Sequence, residues 1–266
     1  MSQIEISQIY IYPVKSLGGT WLKQSALQPK GLQYDRHWMV VDKDNRFMTQ
    51  RTHPQMALIT SQIENGQLTL SGFGLEDRIV PALEAGGPKT ATKVFNDPVN
   101  VHELDNETNE WLSQALDTPC KLVSFPDDEM RYCDPLTSSP GDHTQFADAY
   151  PLLIISEASL EDLNQRLASP VGMDRFRPNL VVKGCAAFAE DHWTSIEVNG
   201  IHIRMLEACS RCSVPTVDQE TGIASGPEPI HTLSTYRQRD GEVFFGSNYA
   251  TSGSGTISVG DIVSVQ

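Results

Sequence analysis

Basic side chains are scarce in this sequence. Lysine and arginine number 20 against 34 aspartates and glutamates, a formal net charge of −14. That balance excludes a general nucleic-acid binder, which neutralises phosphates with clustered Lys and Arg. Long apolar runs are missing too. The longest, Tyr150-Pro151-Leu152-Leu153-Ile154-Ile155, is the length of a buried strand and far short of the roughly 20 residues of a membrane helix. Cysteine is sparse, with five in 266 residues. That is too few for a disulfide scaffold, and the odd count leaves one unpaired. The opening Met1-Ser2-Gln3-Ile4-Glu5 lacks the basic-then-apolar layout of an export signal, so a cytoplasmic location is expected. There is no Gly-x-Ser-x-Gly elbow, phosphate-binding P-loop or Gly-x-Gly-x-x-Gly dinucleotide loop.

What is present reads as short strands separated by turn residues. Ser7–Tyr12 ends at Pro13. His37–Val41, the turn Asp42-Lys43-Asp44-Asn45 and Arg46–Thr49 read as a hairpin. Ala57–Thr60 and Leu68–Leu70 flank Glu64-Asn65-Gly66 as a second hairpin. Ile196–Val198 and Ile201–Met205 flank Asn199-Gly200, a pair suited to a type I′ turn. Thr256–Val259 and Ile262–Val265 flank Gly260-Asp261 in the same style. Two helices are expected. Asn106 would cap a segment to Leu116, with Trp111, Leu112, Ala115 and Leu116 on one face. Ser156 would cap Glu157 to Ala168, with Leu160, Leu163, Asn164 and Leu167 on one face. The fold class is therefore β-rich α+β. The polar, irregular stretch from Phe125 to Phe146 divides a first half (1–120) from a second (121–266).

Because basic residues are few, their placement is informative. Lys15-Ser16 follows the first strand, just before Gly18-Gly19. Arg36 opens the Trp38 strand, Arg177 precedes Pro178, and Arg211 lies between Ser210 and Cys212. Cations at strand ends in an acidic protein can converge on an anion, helped by hydroxyls and backbone amides. The alternative is four ordinary surface ion pairs. Cys209-Ser210-Arg211-Cys212 leaves several chemistries open. A structural zinc site wants a second Cys pair or a His pair, and a thioredoxin-like dithiol starts a helix. One thiolate on a soft, redox-active metal, favoured by the neighbouring arginine, is the third. Two ordinary strand cysteines is the fourth. His192 caps or pairs locally in this reading.

Eight motifs then occur in a familiar order. They are Tyr12-Pro13-Val14-Lys15-Ser16, Asp35-Arg36-His37-Trp38, Ser156-Glu157-Ala158-Ser159-Leu160 and Phe176-Arg177-Pro178-Asn179. Ala189-Glu190-Asp191-x-Trp193, Cys209-Ser210-Arg211-Cys212, Val217-Asp218-x-x-Thr221-Gly222 and Gly255-Thr256-Ile257-x-Val259-Gly260-Asp261 follow. Together they resemble the MOSC-domain proteins with an N-terminal MOSC-type β-barrel, in particular the mitochondrial amidoxime-reducing component and its bacterial relatives. The resemblance runs from about residue 5 to the end. It implies a MOSC-type β-barrel subdomain packed on a C-terminal MOSC barrel with a few helices. It also implies the molybdenum cofactor, a pyranopterin dithiolene carrying a phosphate, with Cys212 as the metal's protein ligand. Lys15, Ser16, Arg36, Arg177, Ser210, Arg211 and Asn248 match cofactor-holding positions, and Asp218 is a candidate proton donor or an Asx turn.

The implied activity is molybdenum-dependent reduction of N-hydroxylated compounds. The implied electron source is a separate ferredoxin-like or haem-containing protein with its reductase. No cysteine pattern for an iron–sulfur cluster is present, and neither a ferredoxin-like extension nor a membrane anchor is expected. A cofactor-binding or sulfur-carrier module without turnover is the alternative, and the wider family adds an association with pyridoxal phosphate. Two departures from the family pattern stand out. Asp148-Ala149-Tyr150 replaces an Asp followed by small hydroxyl residues, and Gln219 stands where Pro is frequent.

Overall fold

The computed structural model describes residues 3–81, 88–224 and 226–266. Strands dominate, as the alternating patterns predict. In the first half, a five-stranded sheet runs Lys89–Val94, Asp97–Glu103, Cys120–Ser124, Trp38–Asp42 and Val14–Lys15. Successive residues of a strand face opposite sides. Trp38, Val40 and Leu122 therefore enter one apolar cluster, with the Thr60–Glu64/Gln67–Ser71 hairpin, while Met39, Val41 and Val123 enter another with Phe125 and Phe146. Helix α1 (Asn106–Leu116) lies between two strands of this sheet and buries Leu112, Ala115 and Leu116.

A nine-stranded sheet forms the other half. Its path is Ser264–Val265, Ser195–Val198, Ile201–Ser210, Glu242–Ala250, Leu152–Ser156, Leu180–Lys183, Glu5–Ile11 and Thr20–Leu22, with Gln238–Arg239 branching from the fourth. Leu152–Ser156 and Leu180–Lys183 are parallel, a pairing that needs a crossover. Helix α2 (Glu157–Arg166) supplies it, capped by the Ser156 hydroxyl accepting from the Ser159 N–H. Glu5–Ile11 and Thr20–Leu22 belong to this sheet, and Gln24–Gln28 pairs with Gly255–Ser258. Sheet membership thus crosses the division near residue 120, and the two halves are interlocked. No helix among the described residues is long and apolar enough to cross a membrane.

Four local expectations need correction. Asp105, not Asn106, caps α1: its carboxylate accepts from the Thr108 N–H at 2.9 Å and is held by Arg78. Ala57 and Leu58 lie in a 3₁₀ turn, Pro54–Leu58, opened by a proline whose fixed φ suits a helix start, and the strand begins at Thr60. Arg46–Thr49 forms no regular strand, only isolated bridges to Val41 and Lys93. The last two apolar segments do not pair with each other. Gly255–Ser258 joins Gln24–Gln28, and Ser264–Val265 joins Ser195–Val198. Between them, the Ile6 N–H donates to the Asp261 carbonyl and the Gly260 N–H to the Ile6 carbonyl. The first strand therefore takes the bonds that a hairpin would have used. The Asn199-Gly200 hairpin forms as read, with both turn residues at positive φ, 51° and 77°.

Candidate functional site

The four flagged cations sit on elements far apart in sequence, and the fold links them. Lys15 ends the strand Val14–Lys15 with its side chain buried. Its ammonium donates to the Phe146 carbonyl at 2.7 Å and pairs with Asp148. Burial pushes its pKa down, opposed by Asp148 and reinforced by Arg131 and Arg36. Asp148 is 64% exposed, with Lys15, Arg51 and Arg36 close enough to act on it. Desolvation opposes its ionisation. Lys15, Arg51 and Arg36 outweigh that and draw its carboxyl down to about 2.

Tyr12 is the hub of the next layer. Its ring is buried between two guanidinium groups, Arg36 at 4.3 Å and Arg177 at 4.1 Å. Arg36 also pairs with Asp35 at 2.5 Å and donates to the Arg177 carbonyl at 3.1 Å. Arg177 donates to the Leu17 carbonyl at 2.7 Å. Burial, with Arg36 adding to it, lowers the Arg177 pKa to about 10. Arg211 closes the chain of contacts by donating to the Phe176 carbonyl, next to Arg177, at 2.7 Å. Its Nε is buried without a hydrogen-bond partner, as is the Tyr12 hydroxyl. Ser16, Arg36 and Arg177 all hold left-handed backbones, with φ of 68°, 48° and 55°. Such non-glycine strain persists only where the surroundings enforce it, and it gathers at functional sites.

Cys212 is exposed and Cys209 half-buried. The arginine between them does not sit on Cys212 as the sequence suggested. Arg211 donates to the Cys209 sulfur at 3.1 Å, so its guanidinium is engaged by Cys209 rather than by Cys212. Cys120 and Cys133 are buried, and desolvation lifts both thiols to about 11. Ser210 ends the strand Ile201–Ser210, exposed. Asn248 lies on the adjacent strand, opposite Glu207 and Leu153, and is not among the residues joining the cations.

Asp218, the candidate proton donor or Asx-turn residue, is engaged through both carboxylate oxygens. Its Oδ1 accepts from the Glu220 N–H, the Thr221 N–H and the Thr221 hydroxyl, and its Oδ2 pairs with Arg175 at 2.6 Å. These hydrogen bonds to its turn, led by the Thr221 amide, hold its pKa below the ordinary value. Asp218 thus organises the Asx turn that follows the Cys212 loop. Sequence reading missed Tyr12 and Asp35 as parts of the site, and gave Asp148 no role. The adjacency of Asp35 and Arg36 was a signal. Asp148 was noted only as part of Asp148-Ala149-Tyr150, and its partner Lys15 is 133 residues away.

The chain is thus built of two interlocked β-rich halves, with Arg36, Arg177 and Arg211 joined through backbone carbonyls and the exposed Cys212 next to Arg211. The model of the MOSC N-terminal beta barrel domain matches residues 3–119, and that of the MOSC domain matches residues 141–264. Mitochondrial amidoxime-reducing component 1 of Mus musculus is 34% identical over 97% of this chain and 81% of its own. The Homo sapiens protein of the same name is 35% identical over 97% and 82%. Mitochondrial amidoxime reducing component 2 of Rattus norvegicus is 33% identical over 97% and 82%. The chain therefore belongs to the MOSC-domain family that includes the amidoxime-reducing components. The association with pyridoxal phosphate finds no support in these matches.

Proposed function

We propose that this protein is a molybdenum-cofactor-dependent oxidoreductase that reduces N-hydroxylated compounds. The observation that carries the reading is the gathering of Lys15, Arg36, Arg177 and Arg211 into one contact network in a chain of net charge −14. Like charges held together and partly desolvated call for an anion. A phosphate-bearing pterin suits that donor set, and the unpartnered Arg211 Nε is one donor left for it. The exposed Cys212 offers the soft sulfur that a dithiolene-bound metal favours.

Lys15, Ser16, Arg36, Arg177, Ser210, Arg211 and Asn248 would hold the cofactor, and Cys212 would ligate its metal. Bound there, the cofactor supplies the two-electron reduction that cleaves an N–O bond. The chain's own residues neutralise the phosphate, exclude water with the Tyr12 ring and hold Cys212 at the cleft. In this reading residues 1–120 and 121–266 contribute opposite walls. Electrons would come from a separate ferredoxin-like or haem-containing protein and its reductase. The acidic surface fits a donor with a basic face.

The open Cys212 also suits the second reading, a cofactor-binding or sulfur-carrier module without turnover. Elemental and pterin analysis of protein made in a cofactor-competent host tests the common part: molybdenum and pterin near one per chain are expected. Dithionite-driven reduction of a hydroxylamine separates the readings. Loaded protein that does not turn over would leave the carrier, and protein without molybdenum would remove both cofactor readings.

A further inference from the structure

We propose that Gln50 and Gln219 form a clasp that sets the spacing between the Lys15–Ser16 turn and the Cys212 loop, and so tunes retention of the cofactor. This rests on the function proposed above. Gln219 is one of the two departures from the family pattern, and the structure gives it a partner. The two side-chain amides pair reciprocally across 169 residues. Gln50 Nε2 donates to Gln219 Oε1 at 3.2 Å, and Gln219 Nε2 donates to Gln50 Oε1 at 3.0 Å. Each nitrogen spends its second hydrogen on a carbonyl, Ser16 at 2.9 Å and Val217 at 3.0 Å. All four amide hydrogens are used, and Gln50 is only 1% exposed.

The two carbonyls at its ends are what make the clasp a positioning device. Ser16 is the left-handed residue directly after Lys15. A backbone in that region is held only by its surroundings, and the bond from Gln50 supplies part of that hold. Val217 precedes Asp218, whose turn is anchored from the other side by Arg175, which also donates to the Pro215 carbonyl at 3.3 Å. The segment after Cys212 is therefore fixed at two points, by Arg175 to its own half and by Gln219 to the N-terminal half. The glycine at 222 adds a close approach between the same loops: a Cβ there would lie 2.9 Å from the Leu58 side chain. Gln50 and Gln219 act through the Ser16 carbonyl and through the loop that follows Cys212.

Gln50→Ala, Gln219→Ala and the double variant test this in the full chain. The first readout needs no cofactor: hydrogen exchange at the amides of Leu17 and Gly18 on one side and Asp218 and Gly222 on the other, all hydrogen-bonded in the structure. Each single variant is expected to speed exchange on both sides at least tenfold, with the double variant no worse than either single, because the residues act as one unit. The second readout is molybdenum retained after dialysis, expected to fall by a similar factor, with kcat per bound metal lowered more than KM is raised. Should the alanine variants fold poorly, Gln219→Glu, which keeps the side chain's shape and the acceptor for Gln50 but loses both N–H donors, is expected to speed exchange on both sides by a smaller factor, and unchanged exchange in it would overturn the clasp. Exchange confined to the mutated loop, additive effects, or unchanged metal retention would each overturn the clasp. Wild-type protein that takes up no molybdenum would instead overturn the functional reading, and the two-sided exchange result is read independently of it.

Discussion

Arg177→Met distinguishes a cation held for a ligand from one held for the fold. Arg177 is 9% exposed and its pKa falls from 12.5 to about 10. A shift of that size disfavours the buried charge by about 3 kcal/mol. Methionine keeps an apolar stack on Tyr12, removes that penalty and loses the bond to the Leu17 carbonyl. A charge-assisted hydrogen bond is worth about 1.5–3 kcal/mol. The two effects nearly cancel, so the melting temperature without anion should move by no more than about 4 °C. Arg131 is the comparison. It is equally buried and holds Asp97 and the carbonyls of Gln145, Ala147 and Asp148. Arg131→Met orphans this group and should cost about 3–5 kcal/mol. Phosphate titrations followed by thermal unfolding complete the test. A site filled at a hundred times its Kd stabilises the wild type by about 2.7 kcal/mol, and a tenfold loss of affinity cuts that to about 1.4. If Arg177→Met is as destabilising as Arg131→Met and keeps the full phosphate response, the convergence of cations is structural and the anion-site argument fails.

Three further outcomes are expected. Cys212→Ala should lose bound molybdenum and reductase activity with its circular dichroism unchanged, whereas Cys209→Ala should keep most of both; equal losses would point to a dithiol. Desolvation, with Lys30 nearby, lowers the His37 pKa to about 4, so folding keeps it neutral while the unfolded chain takes up a proton near 6.5. Stability should be full above pH 6.5 and fall by at most about 3 kcal/mol toward pH 4, and a pH series of urea melts should lose that limb in His37→Gln. The chain with NADH and substrate alone should be inactive, yet active with an artificial reductant. Turnover with NADH in rigorously purified chain would reveal an overlooked redox site.

Local chemistry made much of this protein legible in its sequence. Asn199-Gly200 specified its hairpin because both residues tolerate positive φ, and Ser156 specified the start of α2 through a bond within one turn. The sparse basic residues at strand ends marked the candidate site, since each stood out against an acidic background. Tertiary structure decided what depends on long-range partners. The last two strands pair with Gln24–Gln28 and Ser195–Val198 rather than with each other, because a strand's partner is set by which sheet edge the whole fold presents. Arg211 lies between two cysteines in sequence, yet only the fold turns its guanidinium toward Cys209. Asp148 meets Lys15, and Gln50 meets Gln219, across 133 and 169 residues. Hydrogen bonds and charge act over a few ångströms of space, and at such separations only the folded backbone determines which groups come that close.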